Sequence, residues 1–319
     1  MESTKFDSII MEKIVWYYYF EDLTQSEIAD LLGITRARVI KLLNIAKKTG
    51  VIQFKLKKGS NKRINLYKQL IDTFKLKDVL LIPEVPKEKD LNTSIAQAAA
   101  MYINDIIPQD GIINIGYGDT PSKVLNHLAT MAQKPISCVS LTGGVSYYLP
   151  DTKSGIFNAK LYLMPFPLLC ASKEMASAMQ NESAFTDIVR MISLSSVSVV
   201  GIGAMNESAT VIKSGILSLK DLNFLKMKGA VGDVLCHFID KNGDIVENSI
   251  EESLIAISLG MLKQMQNVIA VAGGEKKVQA IYSALVGGYF DILITDEKTA
   301  EHLITLDELN NKTSKEGFI

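Results

Sequence analysis

Four short runs in this 319-residue chain place glycines where an anion could be cradled. They read Ile115-Gly-Tyr-Gly-Asp-Thr-Pro-Ser, Leu141-Thr-Gly-Gly-Val, Gly201-Ile-Gly-Ala and Val271-Ala-Gly-Gly-Glu-Lys-Lys. In the first, Gly116 and Gly118 lead into a helical period whose opening turn carries Asp119, Thr120 and Ser122. Free N–H groups and hydroxyls at such a turn hold anions as phosphate loops do. Gly143, Gly144 and Gly203 follow apolar runs in the second and third. The fourth ends on Lys276 and Lys277 at a helix start. A helix N-terminus favours acids, so an anionic ligand would give Lys277 a reason to be there. Taken singly, each glycine pair is better explained by a chain that merely turns after a strand. Four in one domain, the last with lysines, point to a phosphorylated small ligand. None is a Walker loop or a Gly-x-Gly-x-x-Gly fingerprint, which argues against ATP and NAD.

Asp233 follows Gly229-Ala-Val-Gly and precedes an apolar segment, where a carboxylate needs a partner. A pair of sugar hydroxyls would be one. Asp240 and Asp244 flank Asp-Lys-Asn-Gly turn chemistry, and His237 is a lone histidine, a type more often packed or solvated than catalytic. The three cysteines form no ligand cluster, so no metal site is expected, and their sparse use fits a reducing cytoplasm. The first residues do not read as a signal peptide, and no apolar run reaches the roughly 18–20 residues of a membrane span.

A second kind of chemistry lies near the start. Thr24-x-x-Glu27 is a capping box, Gly33 supplies a turn, and Thr35 caps a helix whose outer positions are Arg36, Arg38 and Lys41. Those cations suit base edges and phosphates, and Thr24, Gln25 and Thr35 could hydrogen-bond phosphates at helix starts. Residues 1–63 hold 12 Lys/Arg against 7 Asp/Glu, although the whole chain has a net charge of −1. A basic head on an acidic body suggests that the head alone meets a polyanion.

These residues need elements to hold them. Residues 8–20 read as a first helix with Ile10, Ile14, Tyr17 and Tyr18 on one face, and Trp16 is expected to pack against the next two helices. Ile28, Leu31 and Leu32 form the apolar face of the second. Residues 51–57 alternate like a strand and lead into a basic run, the pattern of a wing. Beyond residue 78, strand candidates at Val79–Ile82, Gly111–Ile115, Ser137–Leu141, Lys160–Met164, Val197–Ile202, Val268–Val271 and Ile292–Thr295 alternate with helical periods. Apolar strands in that rhythm predict a parallel sheet covered on both faces. The expected organisation is a winged helix-turn-helix domain over 1–60, a linker or oligomerisation helix over 61–77, and a Rossmann-like α/β effector domain over 78–319.

In order and spacing, Leu23-Thr-Gln-Ser-Glu-Ile-Ala, Gly143-Gly-Val, Gly201-Ile-Gly-Ala, Gly229-Ala-Val-Gly-Asp and Ala272-Gly-Gly with Lys277 resemble the SorC family of sugar-responsive transcription regulators over essentially the whole chain. Trp16-Tyr-Tyr-Tyr, Gly116-Tyr-Gly-Asp and Ala272-Gly-Gly-Glu-Lys-Lys-Val-Gln-Ala-Ile resemble most the branch that responds to phosphorylated autoinducer-2. The resemblance implies a repressor that binds double-stranded operator DNA as a homodimer or homotetramer, with an effector domain related to sugar-phosphate isomerases and no cofactor. It implies that the loop at Gly116–Ser122 and Lys277 hold a phosphate, and that Asp233 binds ligand hydroxyls. Ile40 and Lys41 stand where many relatives carry Ser-Arg, so no operator sequence carries over. An activator with the same parts, or a sugar-phosphate isomerase or deaminase fused to a DNA-binding head, are the alternatives. The second lacks a positioned acid/base pair.

Overall fold

The computed structural model describes residues 2–52, 61–85, 88–108, 110–132, 135–144 and 158–316. The chain divides into two compact units, residues 1–59 and 60–319. The wing expected at 51–63 falls mostly on 53–60, outside the described residues.

The first unit holds three helices, α1 (Glu2–Tyr19), α2 (Gln25–Leu32) and α3 (Arg36–Lys48). Its core is Met11 and Ile14 from α1, Ile28 and Ala29 from α2, and Val39, Leu42, Leu43 and Ala46 from α3. Two expectations fail here. Trp16 is 52% exposed and Leu31 58%. Trp16 lies about 200° round the helix from Ile14, which sets it away from the face that meets α2 and α3. It stacks instead on exposed Phe20, ring centroids 4.6 Å apart, and its indole N–H donates to Glu21. Between α2 and α3, Gly33 adopts φ 62°, the left-handed conformation that ends α2 and opens the turn.

The second unit begins with α4 (Asn61–Phe74), then β1 (Asp78–Ile82), α5 (Glu88–Ile106), β2 (Ile112–Ile115) and α6 (Asp119–Met131). β3 (Ile136–Ser140), β4 (Ala159–Tyr162), α7 (Lys173–Gln180), α8 (Ser183–Ser193) and β5 (Val197–Val200) follow. The run expected as one strand at Val197–Ile202 breaks at Gly201, and β6 (Ile202–Ala204) starts a second sheet. Next come α9 (Thr210–Lys213), α10 (Leu219–Met227), β7 (Gly232–Val234), β8 (His237–Ile239), α11 (Ser249–Ser253) and α12 (Leu259–Gln264). β9 (Val268–Val271), α13 (Val278–Val286), β10 (Ile292–Asp296) and α14 (Glu297–Glu316) complete the unit.

Seven strands form one sheet in the order β1-β10-β9-β5-β2-β3-β4, with every pair parallel. Alternate strand residues enter cores on opposite faces. Ile113, Ile115, Val197, Val199, Ile292 and Ile294 pack under α5 and α6. Leu293, Val200 and Ala270 pack with Leu70 of α4, Ile192 of α8 and Leu303 of α14. Helix α4 is therefore bound into this unit through Leu66, Leu70 and Phe74. Tyr67 of α4 and Tyr102 of α5 both donate to the Asp78 carboxylate, at 3.0 and 2.7 Å. The small antiparallel sheet, β6-β7-β8, stands at the end of β5.

Candidate functional site

Chain order reverses about β2, with β5 on one side and β3 on the other. In open α/β sheets a crevice forms beyond the C-terminal strand ends at that point. A cavity of about 790 Å³ lies there. Its walls are the loop after β2 (Tyr117–Lys123), the segment from Gly201 through β6 to Ser214, Asp233 of β7, and the loop after β9 (Gly273, Gly274, Lys276, Lys277).

Gly118 has φ 138° and caps α6 without a side chain, so no side chain of its own covers the first turn of the helix. Asp119 on that turn accepts hydrogen bonds from Asn92 at 2.8 Å and Lys123 at 2.5 Å. Burial pushes its carboxyl up, but those bonds outweigh it and hold the group below the ordinary carboxylate range. Lys277 lies in the 3-10 turn Glu275–Lys277 ahead of α13, and its ammonium donates to the Ile202 carbonyl at 3.0 Å. Loss of hydration lowers its pKa, against the attraction of Asp233 and Asp119. Burial raises the Asp233 carboxyl, against the Cys236 N–H, which donates to Oδ2 at 3.2 Å, and the charges of Lys277 and His237.

That N–H is aimed by a costly turn. Leu235 and Cys236, between β7 and β8, both have positive φ, 54° and 67°. Neither is a glycine, and such residues are held left-handed only where their surroundings enforce it. Leu235 packs against Gly116, where a β-carbon would approach within 2.8 Å of its Cδ2. Behind Asp233, His237 is buried, with its ring nitrogens 2.6 Å from Glu251 and 2.8 Å from the Ile257 carbonyl. It is a packed residue that ties β8 to α11.

Of the ten residues expected to bind the effector, six line the cavity: Gly118, Asp119, Thr120, Gly203, Asp233 and Lys277. Gly203 is there by necessity, since a β-carbon would fall 1.8 Å from Asp233 Oδ1. Four do not line it. Gly116 is buried beneath Leu235, and Ser122 sits on α6, its N–H donating to the Gly118 carbonyl. Gly143 and Gly144 follow β3, on the far side of β2, and their N–H groups bond the Ile255 and Phe166 carbonyls. The cavity also takes in Asn92, Lys123, Asn206, Ser208, Thr210 and Lys213. Lys277 is marked in the sequence as a cation at a helix start, whereas Lys123 stands beyond the first turn of α6, four residues after Asp119. The small polar run at 206–210 carries no such mark. No group of His, Cys, Asp and Glu among the described residues is arranged to hold a metal.

In the first unit Arg36, Arg38 and Lys41 are all exposed on α3. Thr24 completes its capping box, with Glu27 Oε2 accepting from both the Thr24 N–H and hydroxyl at 2.7 Å. Thr35 accepts the Arg38 N–H at 3.3 Å. Thr24, Gln25 and Arg36 share a concave face with Tyr18, Tyr19 and Ser26. A cap, a tight turn and a helix with a cationic outer face are the geometry of a major-groove reader.

The family model described as "Putative sugar-binding domain" matches residues 60–305, and that of "Sigma-70, region 4" matches residues 11–46. The chain is 34% identical over 298 residues to the transcriptional regulator LsrR of Escherichia coli K12, covering 92% of this chain and 93% of the relative. It is 30% identical over 301 residues to LsrR of Klebsiella pneumoniae, covering 93% of each. Among solved structures it is similar to the full-length sorbitol operon regulator SorC of Klebsiella pneumoniae, with TM-score 0.68, 26% identity, and coverage of 93% of this chain and 99% of that one. The fold is shared as well by a DeoR family regulator from Listeria monocytogenes, with TM-score 0.66, 20% identity, and coverage of 76% and 100%.

Proposed function

We propose, for a chain that belongs to the SorC/DeoR family of sugar-binding transcriptional regulators and is closely related to the LsrR type, that a phosphorylated sugar-like effector fills the cavity and sets the head's affinity for an operator. The chain is a DNA-binding transcriptional regulator and not an enzyme, as its relatives are. The finer reading rests above all on the cavity's charge. Lys123, Lys213, Lys276 and Lys277 line it together with Asp119 and Asp233, an excess of two positive charges that matches a phosphomonoester dianion. In this reading Lys277 and the free N–H groups at Gly118–Thr120 take the phosphate, and Asp233 takes hydroxyls. Arg36, Arg38 and Lys41 contact DNA, with two heads on a palindrome, in a homodimer or homotetramer. Repression is the sign of regulation we favour, relieved when the effector shifts the population of arrangements that hold DNA.

A thermal-shift screen of sugar and polyol phosphates, phosphorylated autoinducer-2 and their dephosphorylated forms tests this. The phosphorylated partner of one pair should stabilise the protein strongly and lower operator affinity. Equal shifts within every pair would refute a phosphate site.

A further inference from the structure

The cavity's Gly273–Gly274 loop is joined to α4 by a short run of polar contacts. The Gly274 N–H donates to Thr299 Oγ1 at 2.7 Å, and that hydroxyl donates to Asp296 Oδ2 at 2.5 Å. The other Asp296 oxygen accepts the Thr299 N–H at 3.0 Å, capping the start of α14. Asp296 and Thr299 are both buried. The next residue, Glu297, forms an ion pair with Arg63 in the first turn of α4. Helix α4 is the first described element after the reader head.

A second observation bears on the same loop. Thr295 Oγ1 is fully buried and has no hydrogen-bond partner among the described residues. It lies under the same loop, where a β-carbon on Gly273 would stand 3.2 Å from it and 2.6 Å from Asp296 Oδ2. A buried hydroxyl without a partner is costly, so any shift that brings loop backbone to it is favoured. An anion seated on the loop would compete with Thr299 for the Gly274 N–H.

We infer that Thr299, Asp296, Glu297 and Arg63 form a coupling relay by which the cavity's occupancy is felt at α4, with Thr295 as the loop's alternative partner. The inference rests on the cavity being the effector site, but its first test needs no effector. Coupling is reciprocal, so each end must respond when the other is cut.

The test is hydrogen–deuterium exchange on the full-length, ligand-free protein. Thr299→Val should speed exchange of amides at Ile64–Leu70 by about twofold to thirtyfold, the range of such couplings, and Thr299→Ser should not. Arg63→Ala should speed exchange at residues 272–278 in return. Exchange in α6 stays unchanged in each variant if the fold is intact. If Thr299→Val loosens α6 too, Arg63→Ala and Glu297→Gln, which alter partly exposed side chains, decide the matter. Unchanged exchange at Ile64–Leu70 in Thr299→Val, or at 272–278 in Arg63→Ala, would overturn the relay. In a second arm, phosphorylated autoinducer-2 should alter α4 exchange in the native chain and not in Arg63→Ala. Protection of the loop without any response in α4 would also overturn it. If that compound fails to bind, the failure counts against the effector reading alone, and the ligand-free arm decides the relay.

Discussion

Lys277 gives the effector reading its sharpest residue-level test. Its ammonium is the form that binds an anion, and lost hydration lowers its pKa from the ordinary 10.5. Affinity for a phosphorylated ligand should therefore fall as pH rises through a value below the usual lysine range. Lys277→Arg, which stays charged, should flatten that fall in a calorimetric titration. For folding alone the sign reverses: the unfolded lysine holds its proton more tightly, so the ligand-free protein gains stability as pH rises through the lowered value. Gly203→Ala offers a second test, because its methyl group must displace the Asp233 carboxylate. Effector affinity should drop as far as in Asp233→Ala while the fold survives; an unchanged affinity would remove Asp233 from the site. On the DNA side, Arg36→Ala with Arg38→Ala should abolish specific operator binding and leave effector binding intact. If Lys41 contacts a phosphate, Lys41→Ala should lower the slope of log affinity against log salt by about 0.9 per head.

At the level of elements, much was legible in the sequence, for identifiable reasons. Caps show because Thr24, Glu27 and Thr35 satisfy backbone groups only a few residues away. Strand ends show because glycines follow apolar runs. Strand order does not show, since it depends on pairings between distant segments. Gly143 and Gly144 therefore looked like Gly118 and Gly203, although β3 carries them beyond β2 and away from the cavity. Trp16 and Leu31 were misread because a short three-helix head has more apolar residues than one small core can cover. Gly143 has a steric role of its own: a β-carbon would meet the Pro167 and Phe166 carbonyls at 2.4 and 2.7 Å. Gly143→Ala should destabilise the second unit by about 1–3 kcal/mol, the usual cost of overpacking, as read by denaturant unfolding. Thr24→Ala should cost the head about 1 kcal/mol through its lost cap.

For the whole molecule, the two units divide the labour by charge. Arg36, Arg38 and Lys41 of α3 are exposed to solvent, whereas Lys123 and Lys277 of the cavity donate to the Asp119 carboxylate and the Ile202 carbonyl. Screening by salt should therefore weaken operator binding more steeply than effector binding. A true effector at 100 times its dissociation constant should add about 2.7 kcal/mol to the stability of the unit that binds it. A phosphorylated ligand that raises the melting temperature of a head fragment instead would contradict this division.

The sheet order has one more consequence, in time. Among the described strands β1 at Asp78–Ile82 pairs with β10 at Ile292–Asp296 alone, so its edge of the sheet waits until residue 296 has been made. The head's core is complete within residues 1–59. At about 5–20 residues per second, a nascent chain spends roughly ten to fifty seconds with a finished DNA reader and an unfinished sensor. A chain cut short on the ribosome would keep the reader and lose the control over it.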